Sequence, residues 1–229
     1  MAVRARAADE NIDFMSFMSE ANRRRVLAKS TRIVYPAGTL LFGESDLPRV
    51  ILIERGLVRI FRTVPDGRQA TVAFLRTHEV VGTSMVVSEP PWVGAQTVIK
   101  ATVTDLDVET VRSVATREIQ VMTAVATQLA TLVRNAHRLV ALRSLGNIRQ
   151  RLAYDLLERA CQSQLAMGRL DAMVTQADLA ASIGSSREVV SRAMKGLRAA
   201  GIIKTAPGVV RVVDPVRLAD TVRAFLSPS

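Results

Sequence analysis

The sequence predicts an α+β chain in three consecutive parts: short strands closed into a roll, one long helix, and two short helices followed by a hairpin. Three observations predict it. From Ile33 to Val108, β-branched and aromatic runs are punctuated by turn residues. From Thr110 to Leu142, apolar residues recur at helical spacing. Beyond Thr175, two helical periods flank Gly184 and precede β-branched runs around Pro207-Gly208.

The elements follow in order. Residues 1–11 lack periodicity and read as a tail, Ser19 to Lys29 reads as a helix, and Arg23 to Arg25 form a solvated face. The runs VYPAGTLLF, VILIERGLVRIFRTV, TVAFL and VIKATVTDLDV read as strands, with Asp66-Gly67 as a hairpin turn. Gly38, Gly43, Gly56, Gly67 and Gly82 fall at corners, and many short strands so spaced suggest a closed roll rather than an open sheet. In the long helix Met122, Val125, Leu129, Leu132, Ala136 and Leu139 form a heptad seam, partly widened by Val121, Val133 and Val140. The expectation is a helix that covers the roll on one side and pairs with a second copy on the other. Gly146 marks a hinge, with Ala141 to Gly146 setting the geometry beyond it. Ile148 to Cys161 is the next helix, Ser163 to Met173 a loop or weak strand, and Pro215 to Leu226 a final helix carrying Arg217 and Arg223. The expected parts are residues 1–110, 111–145 and 146–229.

Charge and composition restrict the function. The 229 residues carry 31 Lys plus Arg against 21 Asp plus Glu, a net +10 with a pI near 11.0, which favours a polyanionic partner. No apolar run is long enough to span a membrane, and the N-terminal Arg4 and Arg6 are followed by no apolar segment of the signal-peptide kind, so a soluble cytoplasmic protein is expected. Cys161 is the sole cysteine, which rules out an intrachain disulfide and a cysteine-ligated iron-sulfur cluster. It lies in an apolar-patterned helix and reads as a buried, inert thiol. His78 reads as a loop residue and His137 as a neighbour of the seam, so neither haem ligation nor a metal site is expected. A metal-dependent roll enzyme needs several histidines with carboxylate help, and two distant histidines do not supply them. No nucleophile-base pair or phosphate loop is present, and no enzyme is expected.

The segment TQADLAASIGSSREVVSRAMKGL carries the functional signal. Thr175 caps a first helix whose buried side is Leu179, Ala180 and Ile183, and Asp178 sits near its positive end. Gly184 permits a left-handed turn, and Ser185 or Ser186 caps the second helix. There Val190, Ala193, Met194 and Leu197 make one apolar stripe. Ser186, Arg187, Glu188, Ser191, Arg192 and Lys195 project from the first two turns, where a recognition helix touches base edges. Gly201 stops that helix, and Ile202 to Lys204 with Val209 to Val213 form a hairpin wing. A plain helical hairpin with a solvated charged face is the competing reading. The basic excess, the Ala180/Gly184/Val190 spacing and the wing weigh against it.

A roll, a long helix, a glycine hinge and a winged helix-turn-helix in this order resemble the Crp/Fnr family of bacterial transcription regulators, from about Phe14 onward. GSSREVVSR, Gly184 to Arg192, is similar to the recognition helix of the cyclic AMP receptor branch, and the resemblance implies that Arg187, Glu188 and Arg192 read bases. Arg donates two bonds to guanine O6 and N7, and Glu accepts from cytosine N4. The resemblance further implies a homodimer on a palindrome of TGTGA-like half-sites about 34 Å apart on double-stranded DNA. It also implies contact with RNA polymerase, with Ser163 to Met173 as the candidate surface.

At the effector site the family pattern is broken. Family members that bind cyclic AMP carry a glycine followed by glutamate, then an arginine-serine pair. Here Gly82 is followed by Thr83 and Ser84, Gly94-Ala95 stands near the place of the pair, and the long helix offers Leu132 and Val133. Without an arginine, a buried phosphate is left unneutralised at a cost of about several kcal/mol. Cyclic AMP is not expected. What remains is a pocket of Met85, Val86, Val87, Trp92, Val98 and Leu132, either filled by its own side chains or open to a neutral small molecule. A ligand-binding module that docks on a protein partner through the basic helix is the second functional class. A gel shift on a TGTGA-type palindrome separates the two.

Overall fold

The computed structural model describes residues 13–44, 46–67, 69–88 and 93–224. The expected tail, Trp92 and Leu226 lie outside these residues. Eight antiparallel strands form two four-stranded sheets. β1 (Thr31–Tyr35), β8 (Ala101–Leu106), β3 (Val50–Arg55) and β6 (Val80–Val81) make one; β2 (Leu40–Phe42), β7 (Gly94–Thr97), β4 (Leu57–Thr63) and β5 (Gln69–Arg76) make the other, each in that order. Their facing side chains, including Ile51, Ile53, Val58, Ile60, Leu75 and Val103, form the interior of the roll. The hairpin turn at Asp66-Gly67 joins β4 to β5, as the sequence indicates. The short strands β6 and β7 carry too few residues to show alternation and are visible only through their partners.

The helices are partitioned differently from the sequence reading. α1 (Glu20–Leu27) begins at Ser19, whose hydroxyl accepts from Asn22 N. Instead of one helix from Thr110, there are two: α3 (Val108–Ala115), capped by Asp107, and α4 (Ile119–Leu145), with a short α2 (Ser84–Val87) earlier in the chain. The break is held by Glu118, whose carboxylate accepts from Arg25 Nη1 at 2.6 Å and Asn22 Nδ2 at 3.2 Å, tying the turn to α1. Phe14, Val26, Val111, Val121 and Val125 fill the space between these helices and the end of the roll.

At Gly146 a Cβ would collide with the Leu142 carbonyl, so only glycine lets the chain turn this tightly out of α4. Asn147 then opens α5 (Ile148–Met167) with a capping box through Gln150. α5 runs six residues beyond the expected end, because the Gln162 and Gln164 amides donate to Gln69 O and Val98 O of the roll and keep this part helical against the sheet. Of the segment Ser163 to Met173, expected as a loop or weak strand, the first part is therefore the last turn of α5, and its end is the short strand β9 (Asp171–Met173).

The two halves share one apolar core. Leu57, Phe74 and Val98 from the outer face of the roll continue into Leu152, Leu156 and Ala160 of α5, and on into the small C-terminal sheet and helices. Polar contacts cross the same boundary. Glu158 accepts from Thr71 N at 2.8 Å, Gln96 Nε2 donates to Cys161 O at 3.1 Å, and Arg143 Nη2 donates to the Tyr154 hydroxyl at 2.9 Å. The buried Arg59 projects from β4 into this boundary; it bonds Thr71 Oγ1 and Gln69 Oε1 and lies 4.8 Å from the Phe61 ring centroid, while its Nη2 has no partner.

Candidate nucleic-acid interface

α6 (Gln176–Ser182) and α7 (Arg187–Ala199) form the predicted pair. Thr175 and Asp178 make a reciprocal capping box that fixes the start of α6, and the Thr175 bonds hold the Asp178 carboxyl below the usual carboxylate range. Gly184 adopts φ +60, the left-handed turn required between the helices. Of the two candidate caps it is Ser186 that accepts from Val189 N, at 3.4 Å. Val190, Met194 and Leu197 are buried against Leu179, Ala180 and Ile183, and this packing turns the polar face of α7 outward.

Ser186, Arg187, Glu188, Arg192 and Lys195 are all exposed on that face, whereas Ser191 is half covered. Among the described residues no carboxylate forms a salt bridge with Arg187, Arg192 or Lys195, so these cations stand ready for an external anion. Glu188 accepts from its own backbone N–H and from Ser186, and its carboxyl is lowered, so it presents charged oxygen acceptors near neutral pH.

The wing is β10 (Ile203–Ala206) paired with β11 (Val209–Val212), and β9 extends it to three strands through Val210↔Ala172. Arg198 Nη1 reaches Thr205 Oγ1 at 3.4 Å and links the end of α7 to the wing. Lys204 is exposed on β10, a cation the sequence reading passed over although its place in a hairpin after the helices was the available signal. α8 (Pro215–Arg223) closes the chain; its Arg223 is not a solvent cation but bonds Glu79 of the roll.

The residues expected on a dimer seam are divided among the chain's own clusters. Val125 is fully buried, Met122 and Leu129 pack on the helices at the end of the roll, Leu132 on the roll interior and Leu139 on the shared core; Ala136 is half-buried. Val125 thus serves the chain's own core, and the other five lie half-buried at its edge, beside the sheet and α3. The outward stripe lies one position later, at Ala126, Ala130, Val133, His137 and Val140, again spaced alternately by four and three, with Val133 54% and Val140 69% exposed.

The expected effector pocket is likewise divided. Thr83, Met85 and Ala95 are buried, Ser84 is partly covered, and Leu132 packs on the interior beside Met85. Val133 and Val87 face outward, Val86 belongs to the cluster beneath α3, and Val98 belongs to the boundary with α5, so none of these four lines the interior of the roll. Gly94 is buried under Phe61, whose Cζ would lie 2.6 Å from an added Cβ. Thr83 Oγ1 and both amide atoms of the buried Gln128 on α4 lack partners. The arginines near this corner are already engaged, Arg49 with Asp105, Tyr35 and Leu41 O, and Arg112 with Glu109 and the carbonyls of Met85 and Val86. His78 is exposed in a turn at φ 73, and His137 is exposed on α4. Cys161 is fully buried, and burial pushes its thiol up to about 12, as an inert cysteine requires. No helix among the described residues is long and apolar enough to cross a membrane.

Comparison with known proteins agrees with this architecture. Residues 32–118 match the cyclic nucleotide-binding domain, and residues 150–221 match the Crp-like helix-turn-helix domain. The chain is 31% identical to the cyclic AMP receptor protein of Thermus thermophilus over 82% of this chain and 86% of that one. It is 24% identical to the cAMP-activated global transcriptional regulator Vfr of Pseudomonas aeruginosa over 81% and 86%. A crp/fnr-family regulator from Eubacterium rectale shares the fold with a TM-score of 0.59 at 18% identity, covering 94% of this chain and all of that one. By its two domain matches and its identity to a relative across most of both chains, the protein belongs to the Crp/Fnr family of DNA-binding transcription regulators.

Proposed function

We propose that this regulator acts as a homodimer on a palindrome of TGTGA-like half-sites, under an effector other than cyclic AMP or none. The observation that carries the reading is the outward row Arg187, Glu188 and Arg192 on the first two turns of α7, free of competing salt bridges. That row offers guanine two guanidinium forks and cytosine one carboxylate, and a helix of this diameter fits the major groove. The stripe Ala126, Ala130, Val133, His137 and Val140 offers a second copy of α4 a narrow, largely apolar seam. Dimerisation there presents two α7 helices to successive turns of duplex. RNA polymerase is the further partner, with the exposed end of α5 near Leu165 and Met167 as its surface.

The residues of the roll do not fit a cyclic nucleotide. From Thr83 to Val98 the sequence contains no arginine, and Arg49 is already engaged by Asp105, so the phosphate would be buried without a neutralising fork. The test is fluorescence anisotropy with a TGTGA palindrome and a scrambled duplex at moderate salt, with and without cyclic AMP. Preference for the palindrome that cyclic AMP leaves unchanged supports the reading. Equal affinity for both duplexes overturns it in favour of a module that docks on a protein.

A further inference from the structure

A cleft of about 410 Å³ opens between the two halves of the molecule, outside both the interior of the roll and the α7 surface. One wall is the segment Val98 to Lys100, between β7 and β8. The opposite wall is the end of α5, the end of β11 and Pro215 at the start of α8. Its floor is apolar: Val98 and Val212 are buried, Ile99 and Leu170 are partly covered, and Val213 is left 47% exposed. Water is thus in contact with part of an apolar surface at the junction of the two halves.

The rim carries Lys100, Arg169 and Arg211. Only one carboxylate is at hand to answer them. Asp171 receives both Arg211 nitrogens, at 2.7 and 2.9 Å, and its carboxyl is lowered mainly by that bond. Arg169 lies 3.7 Å from the same carboxylate, beyond hydrogen-bond reach, and Lys100 has no partner among the described residues. Two positive charges are thus left over beside an apolar floor, in an open groove between the two halves.

We infer that this cleft is a binding site for a free amphipathic organic anion, a carboxylate with an aliphatic body. The body covers Ile99, Leu170 and Val213, and the head lies between Lys100 and Arg169. Because the walls come from both halves, a bound anion holds α5 and α8 against the roll, and its affinity differs between the closed arrangement and any in which they part. That difference couples the ligand to the α7 surface.

Decanoate is the probe, with decanol as its uncharged counterpart, on the full chain. Titration calorimetry is expected to show decanoate binding about tenfold tighter than decanol, because two partly exposed cations together contribute about that factor. The double variant K100E/R169E, at exposed positions outside the core, is expected to lose decanoate binding while its circular dichroism and its preference for the palindrome over a scrambled duplex without decanoate stay unchanged. Decanoate is further expected to slow modification of the buried Cys161 by a thiol reagent in the parent and not in the variant. Equal affinity for decanoate and decanol, or decanoate binding that survives K100E/R169E, overturns the site. Binding that leaves both Cys161 modification and DNA affinity unmoved overturns the coupling. Affinity for the palindrome in the absence of decanoate tests the DNA reading separately.

Discussion

Glu79 Oε1 accepts a 3.0 Å hydrogen bond from Arg223 Nη2, joining the turn before β6 to the last helix through a carboxylate with no solvent exposure. Arg76 ends β5 just before that turn; it pairs with Asp220 of α8, donates to Val216 O, and its backbone N–H bonds Glu79 Oε2 at 2.7 Å. The C-terminal unit is thus held to the roll by two ion pairs on neighbouring turns of one helix.

Stability should fall as pH rises through the titration of Glu79. Burial raises its carboxyl above the ordinary 4.5, and the nearby Arg223 and Arg76 only partly offset this. Between 4.5 and the raised value the folded chain holds a proton that the unfolded chain has released, so the contribution is full below 4.5 and is lost above the folded value. Thermal melts from pH 4.5 upward should show this slope in the parent and a flatter one in Glu79→Gln. An equal slope in both chains would assign the effect to other groups.

Arg59→Met should stabilise the contact between roll and α5. The Arg59 guanidinium is fully buried, bonds neutral oxygens, and leaves Nη2 unpaired, so its desolvation is incompletely offset. An apolar side chain of similar length is expected to be neutral or stabilising by about 1–4 kcal/mol, read as a higher urea midpoint. A loss greater than about 1 kcal/mol would show that the Thr71 and Gln69 bonds outweigh the desolvation.

Arg187→Ala or Arg192→Ala should each cost about 1–3 kcal/mol in affinity for the palindrome and relax preference at a single base pair. The checking measurement is anisotropy against duplexes carrying single substitutions in each half-site. Equal losses on every duplex would reduce these side chains to phosphate contacts.

Substitutions one residue apart on α4 should separate fold from assembly. Val133→Glu and Val140→Glu place charge on the exposed stripe and should yield folded monomers by sedimentation velocity. Leu132→Glu and Val125→Glu put the charge into the chain's own core and should lower the melting temperature sharply. A folded Val125→Glu monomer would return the seam to the register first expected.

The order of parts was legible in the residues because each part has its own period. Alternation with corner glycines marks the roll, the Gly184 turn with its flanking caps marks the helix pair, and Pro207-Gly208 between β-branched runs marks the wing. The outward polar row was legible for the same reason: once Val190, Met194 and Leu197 are inside, a helix has only one place for Arg187 and Arg192. Which apolar stripe of α4 faces its own sheet was not legible. The stripes through Val125 and through Ala126 are neighbours with the same spacing, and only the packed sheet chooses between them. The shared core, the burial of Arg59 and the Glu79–Arg223 pair were likewise decided by tertiary structure alone. Each depends on groups far apart along the chain being brought within bonding distance, and local periodicity carries no record of that distance.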